Sequence, residues 1–129
     1  YERGVIDDEF IQNAIKNKQR ELVIQSLIIM SRLPEKSVRS ILVKKKGSLI
    51  VALAWKAELN MRTALQMQNE LAHIPKADFI NAKNGIDFPM SDQQMEYEIA
   101  LYEYLNFIQF ITKKPILMQR ELQFHDAYL

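Results

Sequence analysis

The chain has 129 residues, enough for one domain with a sizeable core and too few for two ordinary domains. Hydrophobic residues make up 48% and charged residues 26%, a globular composition that excludes a disordered or fibrous chain. Seventeen basic residues against sixteen acidic ones leave a charge of +1, so no global field draws nucleic acid or an anionic membrane. The absence of cysteine excludes disulfides, thiolate metal sites and cysteine nucleophiles.

Three glycines and few β-branched alternations argue against an all-β domain, and helical periodicity recurs along the chain. Asp7 caps a first predicted helix with Asp8 and Glu9 in its first turn; Phe10, Ile11, Ala14 and Ile15 repeat at helical spacing to about Lys18. A second runs from Gln19 to Arg32 with Leu22, Val23, Ser26, Leu27 and Met30 along one side, and Pro34 ends it. Pro34 then opens a third, which carries Val38, Ile41 and Leu42 and stops at the basic turn Lys46-Gly47. Ser48 is the cap expected for a fourth, Leu49 to about Leu59, with a broad apolar face and Trp55 in the core. Asn60 caps a fifth through His73, which Pro75 breaks; Lys76 to Ala82 allows a further short helix. Lys83-Asn84-Gly85 signals a turn and Ile86-Asp87-Phe88-Pro89 an extended connector.

The clearest start in the chain is Ser91-Asp92-Gln93-Gln94, a capping box with Ser91 bonding forward and Gln94 reaching back. The helix behind it is expected to reach Lys113, with Pro115 as its stop. Met95, Ile99, Tyr102 and Asn106 form one line on it, and Tyr97, Leu101, Tyr104, Ile108 and Ile111 a second; together they predict a wide buried face, the mark of a central helix. A last helix is expected from about Leu117 to Phe124.

An internal echo runs through this pattern. Met30-Ser31-Arg32-Leu33-Pro34 and Leu71-Ala72-His73-Ile74-Pro75 share the order apolar, small, basic, apolar, proline at a spacing of 41 residues, and Val38 and Phe79 each follow four residues later. That spacing lies in the range of HEAT and armadillo helical-pair repeats.

Chemistry-bearing residues are sparse. His73 and His125 are the only imidazoles, and neither has a second ligand at metal-site spacing; His73 reads as a ring that satisfies a helix C-terminus. Asp87, Asp92, Glu96, Glu98 and Glu103 read as a solvated acidic face. With no phosphate loop, serine elbow or zinc-binding helix motif, the expectation is a protein without enzymatic activity, metal or cofactor. Two surfaces remain as candidate sites. The aromatic last long helix offers Tyr97, Leu101 and Tyr104 to a protein partner, since tyrosine and phenylalanine enrich interfaces. The basic run offers Arg39, Lys44, Lys45 and Lys46 to nucleic-acid phosphates, on a helix–break–helix from Leu22 to Leu42 that reads like a helix-turn-helix without its turn glycine. A C-terminal tail, Ile116 to Leu129, is a third candidate, for homo-oligomerisation.

Two stretches carry a family resemblance: Leu33-Pro34-Glu35-Lys36-Ser37-Val38-Arg39-Ser40-Ile41-Leu42 with Leu49 and Ala52-Leu53 following, and Ala82-Lys83-Asn84-Gly85-Ile86-Asp87-Phe88-Pro89-Met90-Ser91 with Met95-Glu96-Tyr97. Through them the region Leu22 to Leu105, roughly two thirds of the chain, resembles the bacterial helical family catalogued as domain of unknown function 2336. The resemblance implies a HEAT-like helical protein of which this is the C-terminal region, and it brings no activity, cofactor or catalytic residue. The run Lys44-Lys45-Lys46 is not a feature of that family.

The sequence thus predicts an all-α fold of five to seven helices, an irregular bundle or a short stack of HEAT-like pairs. It forms one domain over residues 1–129, the fragment of a longer protein expected from the missing start methionine. Neither a signal-peptide core nor an apolar run approaching the ~20 residues that span a bilayer is present, so a soluble cytoplasmic protein off the membrane is expected.

Overall fold

A computed structural model describes residues 6–112. The fold is all-α: among the described residues six helices, one π-helical turn and one short 3-10 turn account for the regular structure, with no strand. None of these helices is long and apolar enough to cross a membrane. The chain divides into two compact units, Tyr1–Ile99 and Ala100–Leu129.

The first unit begins with α1 (Asp8–Lys16), capped as its sequence predicts: the Asp7 side chain accepts the Phe10 N–H at 2.9 Å. Then come α2 (Arg20–Ser31) and α3 (Glu35–Lys44), separated by the Pro34 turn. Next are α4 (Gly47–Lys56) and α5 (Met61–Gln66), the latter running directly into the π turn Met67–Leu71. Helix α4 is the centre. Gly47, Leu49, Ile50, Val51, Ala52, Leu53 and Ala54 are all buried, and α2, α3, α5 and the π turn pack around it. A helix apolar on every side has no face to give to water, so its neighbours must enclose it.

The structure departs from the sequence pattern at several positions. Glycine 47 does not end α3; Lys45 does, in the left-handed conformation (φ 57°), and Gly47 is the first residue of α4. Ser48 accordingly lies inside α4 instead of capping it, and its hydroxyl donates to Glu98 Oε1 at 3.0 Å. Leu22 faces solvent at 41% exposure, because the buried side of α2 is set by Val23, Ile24, Leu27 and Met30. Trp55 is half-buried at the end of α4. The short helix expected over Lys76 to Ala82 shrinks to the 3-10 turn Lys76–Asp78.

The echo has a backbone counterpart. Arg32 and His73, equivalent in the two proline turns, both adopt positive φ (62° and 53°), and the apolar residues that follow them, Leu33 and Ile74, are both buried. Helices α1 and α4 close alike as well. Lys18 and Glu58 are left-handed, and the next N–H groups, of Gln19 and Leu59, each reach 2.9 Å back to the carbonyls of Ala14 and Ala54. These are Schellman closures, which satisfy carbonyls the helix leaves open. The parallel stops after proline: Pro34 leads into a ten-residue helix, Pro75 into a single 3-10 turn.

Two polar devices fasten the layers. Thr63, fully buried on α5, donates to Asp8 Oδ1 at 2.6 Å and accepts from Gln12 Nε2 at 2.9 Å, joining α5 to α1. Gln68, fully buried in the π turn, donates through Nε2 to the Ile80 carbonyl (2.9 Å) and accepts the Ile80 N–H through Oε1 (2.8 Å). Beyond Ile80 the connector makes the expected turn, Asn84 and Gly85 at positive φ inside a Lys83–Asp87 bridge.

Helix α6 (Asp92–Thr112) starts on the capping box read from sequence: the Gln94 N–H bonds Ser91 Oγ at 3.1 Å and the Ser91 N–H bonds Gln94 Oε1 at 2.9 Å. Only Met95 and Ile99 of this helix are buried, so it is not the central helix its two apolar lines predict. Met95 and Tyr97 are two residues apart, which turns the second line about 200° from the first. The lines lie on opposite sides and do not merge into one wide face. The helix expected over Leu117 to Phe124 lies outside the described residues.

Candidate functional site

Both surfaces proposed from sequence can be placed. Tyr97 is 64% exposed, Tyr104 59%, and Leu101 is half-buried. Leu105, Phe107, Ile108 and Phe110 are exposed too, so six of the ten exposed large hydrophobics among the described residues belong to α6. Single exposed apolar side chains are ordinary on any protein; their concentration on one helix is not. On the opposite side Tyr102 and Asn106 are half-buried, in line with Met95 and Ile99.

The basic run is not a uniform patch. Arg39 is held by two carboxylates: it forms a two-pronged pair with Glu21 of α2, and Glu35 one turn earlier on α3 accepts its Nε–H at 2.8 Å. The Arg39 guanidinium holds the Glu21 carboxyl below its ordinary value near 4.5, and both carboxylates raise the already high Arg39 value in return. Lys46 pairs with Glu98 at 3.3 Å. Lys44 and Lys45 stand exposed at the α3–α4 turn and form no ion pair among the described residues. Two of the four candidate cations are thus committed to carboxylates of the same unit.

A consequence for acid stability follows from the depressed Glu21 value. The pair contributes fully while pH exceeds the unfolded carboxyl value near 4.5, and its contribution fades as pH falls through the lower folded value. Urea midpoints of wild type and Arg39→Gln, measured from pH 7 to pH 3, are expected to differ by a constant amount down to about pH 5 and to converge below it. High salt shrinks the difference, because the pair is exposed.

The acidic residues of α6 are also partly paired: Lys56 lies 3.6 Å from Glu96, and Glu98 accepts from both Lys46 and Ser48. Among the described residues no cluster of three or more His, Asp or Glu side chains is placed to hold a metal ion. His73 is exposed, and His125 and the tail Ile116 to Leu129 lie outside the described residues.

Two clefts escaped the sequence reading. One, of about 500 Å³, is bounded by Asp8, Glu9, Gln12, Asn60, Arg62 and the Gly85-Ile86 tip of the connector turn. The other, of about 330 Å³, has Ile15 and Leu71 as its apolar floor and Lys18, Arg20, Glu70 and His73 around them. Nothing in the local sequence marks either, because each joins residues more than fifty positions apart.

No family model matches the chain, and neither a curated protein nor a solved structure matches it.

Proposed function

We propose that the chain is a non-enzymatic helical scaffold of the cytoplasm that binds a partner protein through the Tyr97, Leu101 and Tyr104 line of α6. The observation that carries this reading is the exposure of Tyr97 and Tyr104 on a helix whose buried residues, Met95 and Ile99, belong to its other line. Tyrosines at i and i+7 with leucine between them at i+4 suit helix-in-groove docking, in which a few aromatic anchors supply most of the affinity. The likeness to the domain of unknown function 2336 family belongs to the same proposal, and the paired left-handed turns at Arg32 and His73 support a repeat-derived scaffold.

A photo-crosslinking side chain at Leu101 tests it. The expected result is a protein adduct from Leu101 and none from the same group at exposed Glu58. Adducts of equal yield from both positions, or none from Leu101, remove the site. The second reading, contact with nucleic acid, draws on the exposed Lys44 and Lys45, which have no ion pair among the described residues. It requires salt-sensitive binding of duplex DNA or single-stranded RNA that Lys44→Glu with Lys45→Glu abolishes.

A further inference from the structure

The smaller cleft has features that the scaffold reading does not use. One side of it is the end of the π turn Met67–Leu71, through Glu70 and Leu71; that turn is the one place among the described residues where the i to i+4 ladder widens. Such turns are rare and gather at functional sites. Leu71 is the last residue of that turn, so its carbonyl has no partner within the helix, and Arg20 Nη1 donates to it at 2.6 Å, which fixes the guanidinium beside the cleft. Two further basic side chains stand on left-handed turns around it, Lys18 (φ 58°) and His73 (φ 53°). Among the described residues the side chains of Lys18, Glu70 and His73 make no hydrogen bond or ion pair, in contrast to Arg39 and Lys46 in the basic run. Lys18 and Arg20 against Glu70 leave the rim net positive, and the His73 ring offers a further N–H donor. The floor, Ile15 and Leu71, is apolar and close-packed beneath.

We propose that this cleft binds a short acidic peptide segment, one large apolar side chain resting on Ile15 and Leu71 and a neighbouring carboxylate held by Lys18, Arg20 and His73. Charge complementarity selects an anion, and the apolar floor selects what carries it. An inorganic anion among exposed cations gains little over water, since exposed ion pairs are weak. An occupant that also buries an apolar side chain gains the hydrophobic term as well. The volume of about 330 Å³ suits one such side chain, with the peptide backbone remaining outside. Glu70 is placed to accept a peptide N–H.

The test uses the full chain, ¹⁵N-labelled, and a fluorescein-tagged peptide Gly-Asp-Leu-Asp-Phe-Glu-Gly beside its counterpart with Asn and Gln for the acids. The expected result is amide shifts confined to Ile15–Arg20 and Glu70–His73, with anisotropy showing at least tenfold weaker binding of the neutral peptide. Lys18→Asn with His73→Asn is expected to weaken the acidic peptide at least tenfold while the amide spectrum stays folded; asparagine is the non-glycine side chain best suited to these turns. Equal binding of the two peptides, shifts centred on Lys44 and Lys45 or on α6, or no shifts at all would each overturn the proposal. Shifts on α6 alone would leave the scaffold reading intact while removing this cleft.

Discussion

Leu53→Ala is expected to lower the unfolding free energy by about 4 kcal/mol, near the upper part of the range for buried leucine truncations. Leu53 is fully buried at the middle of α4, the helix that α2, α3, α5 and the π turn surround. Neighbours on every side are themselves packed against one another, so none can collapse into the space left by the removed atoms. The cost is therefore both the lost transfer energy and an unfilled cavity. Against a total of roughly 5–15 kcal/mol for a domain of this size, that is a large share. Urea unfolding followed by circular dichroism reads it as a lower midpoint at unchanged slope. A loss below about 1 kcal/mol would mean that α4 is not the packed centre.

The second large effect is expected at Gln68. Replacement by leucine keeps the volume but strips the Ile80 N–H and carbonyl of their partner, and neither can fully regain water at that half-buried position. Unsatisfied groups of this kind cost about 1–3 kcal/mol each, so Gln68→Leu is expected to destabilise by about 3 kcal/mol. Hydrogen exchange locates the change: the Ile80 amide loses its protection while the amides of α2 keep theirs. Protection of Ile80 equal to wild type would show that the clamp is not what holds the connector. Gly47 belongs to the same device. A Cβ there would lie 2.9 Å from Gln68 Oε1 and 2.9 Å from Ile80 Cγ1, so Gly47→Ala is expected to cost about 1–3 kcal/mol by overpacking.

What the sequence made legible is local or extreme. Asp7, Asn60 and the Ser91/Gln94 box cap helices as their residue types demand, since the donor and acceptor lie within one turn. The Asn84-Gly85 turn is legible because both residue types tolerate positive φ. What escaped is tertiary. Lys18, Arg32, Lys45, Glu58 and His73 close their helices in left-handed conformations without a glycine to announce them, while Gly47 serves close packing beside Gln68 instead of a turn. The π turn is invisible because Met67-Gln68-Asn69-Glu70-Leu71 has ordinary helical propensities; its widening goes with Gln68 turning inward to Ile80. On α6 the residues of the candidate site were legible, but their setting was not. Counting apolar positions on the helix gave the width of a face without fixing the angle between its two lines.

The account rests on the exposed tyrosines of α6, and comparative capture tests it most directly. Immobilised wild-type chain and the Tyr97→Ser, Tyr104→Ser double variant are challenged with the same cell extract, and bound proteins are quantified. Both side chains are exposed, so the variant is expected to unfold at the wild-type midpoint. The account predicts a protein retained by wild type and lost at least tenfold from the variant, with nucleic acid recovered from neither. An identical set of retained proteins on both, or nucleic acid on both, would contradict it.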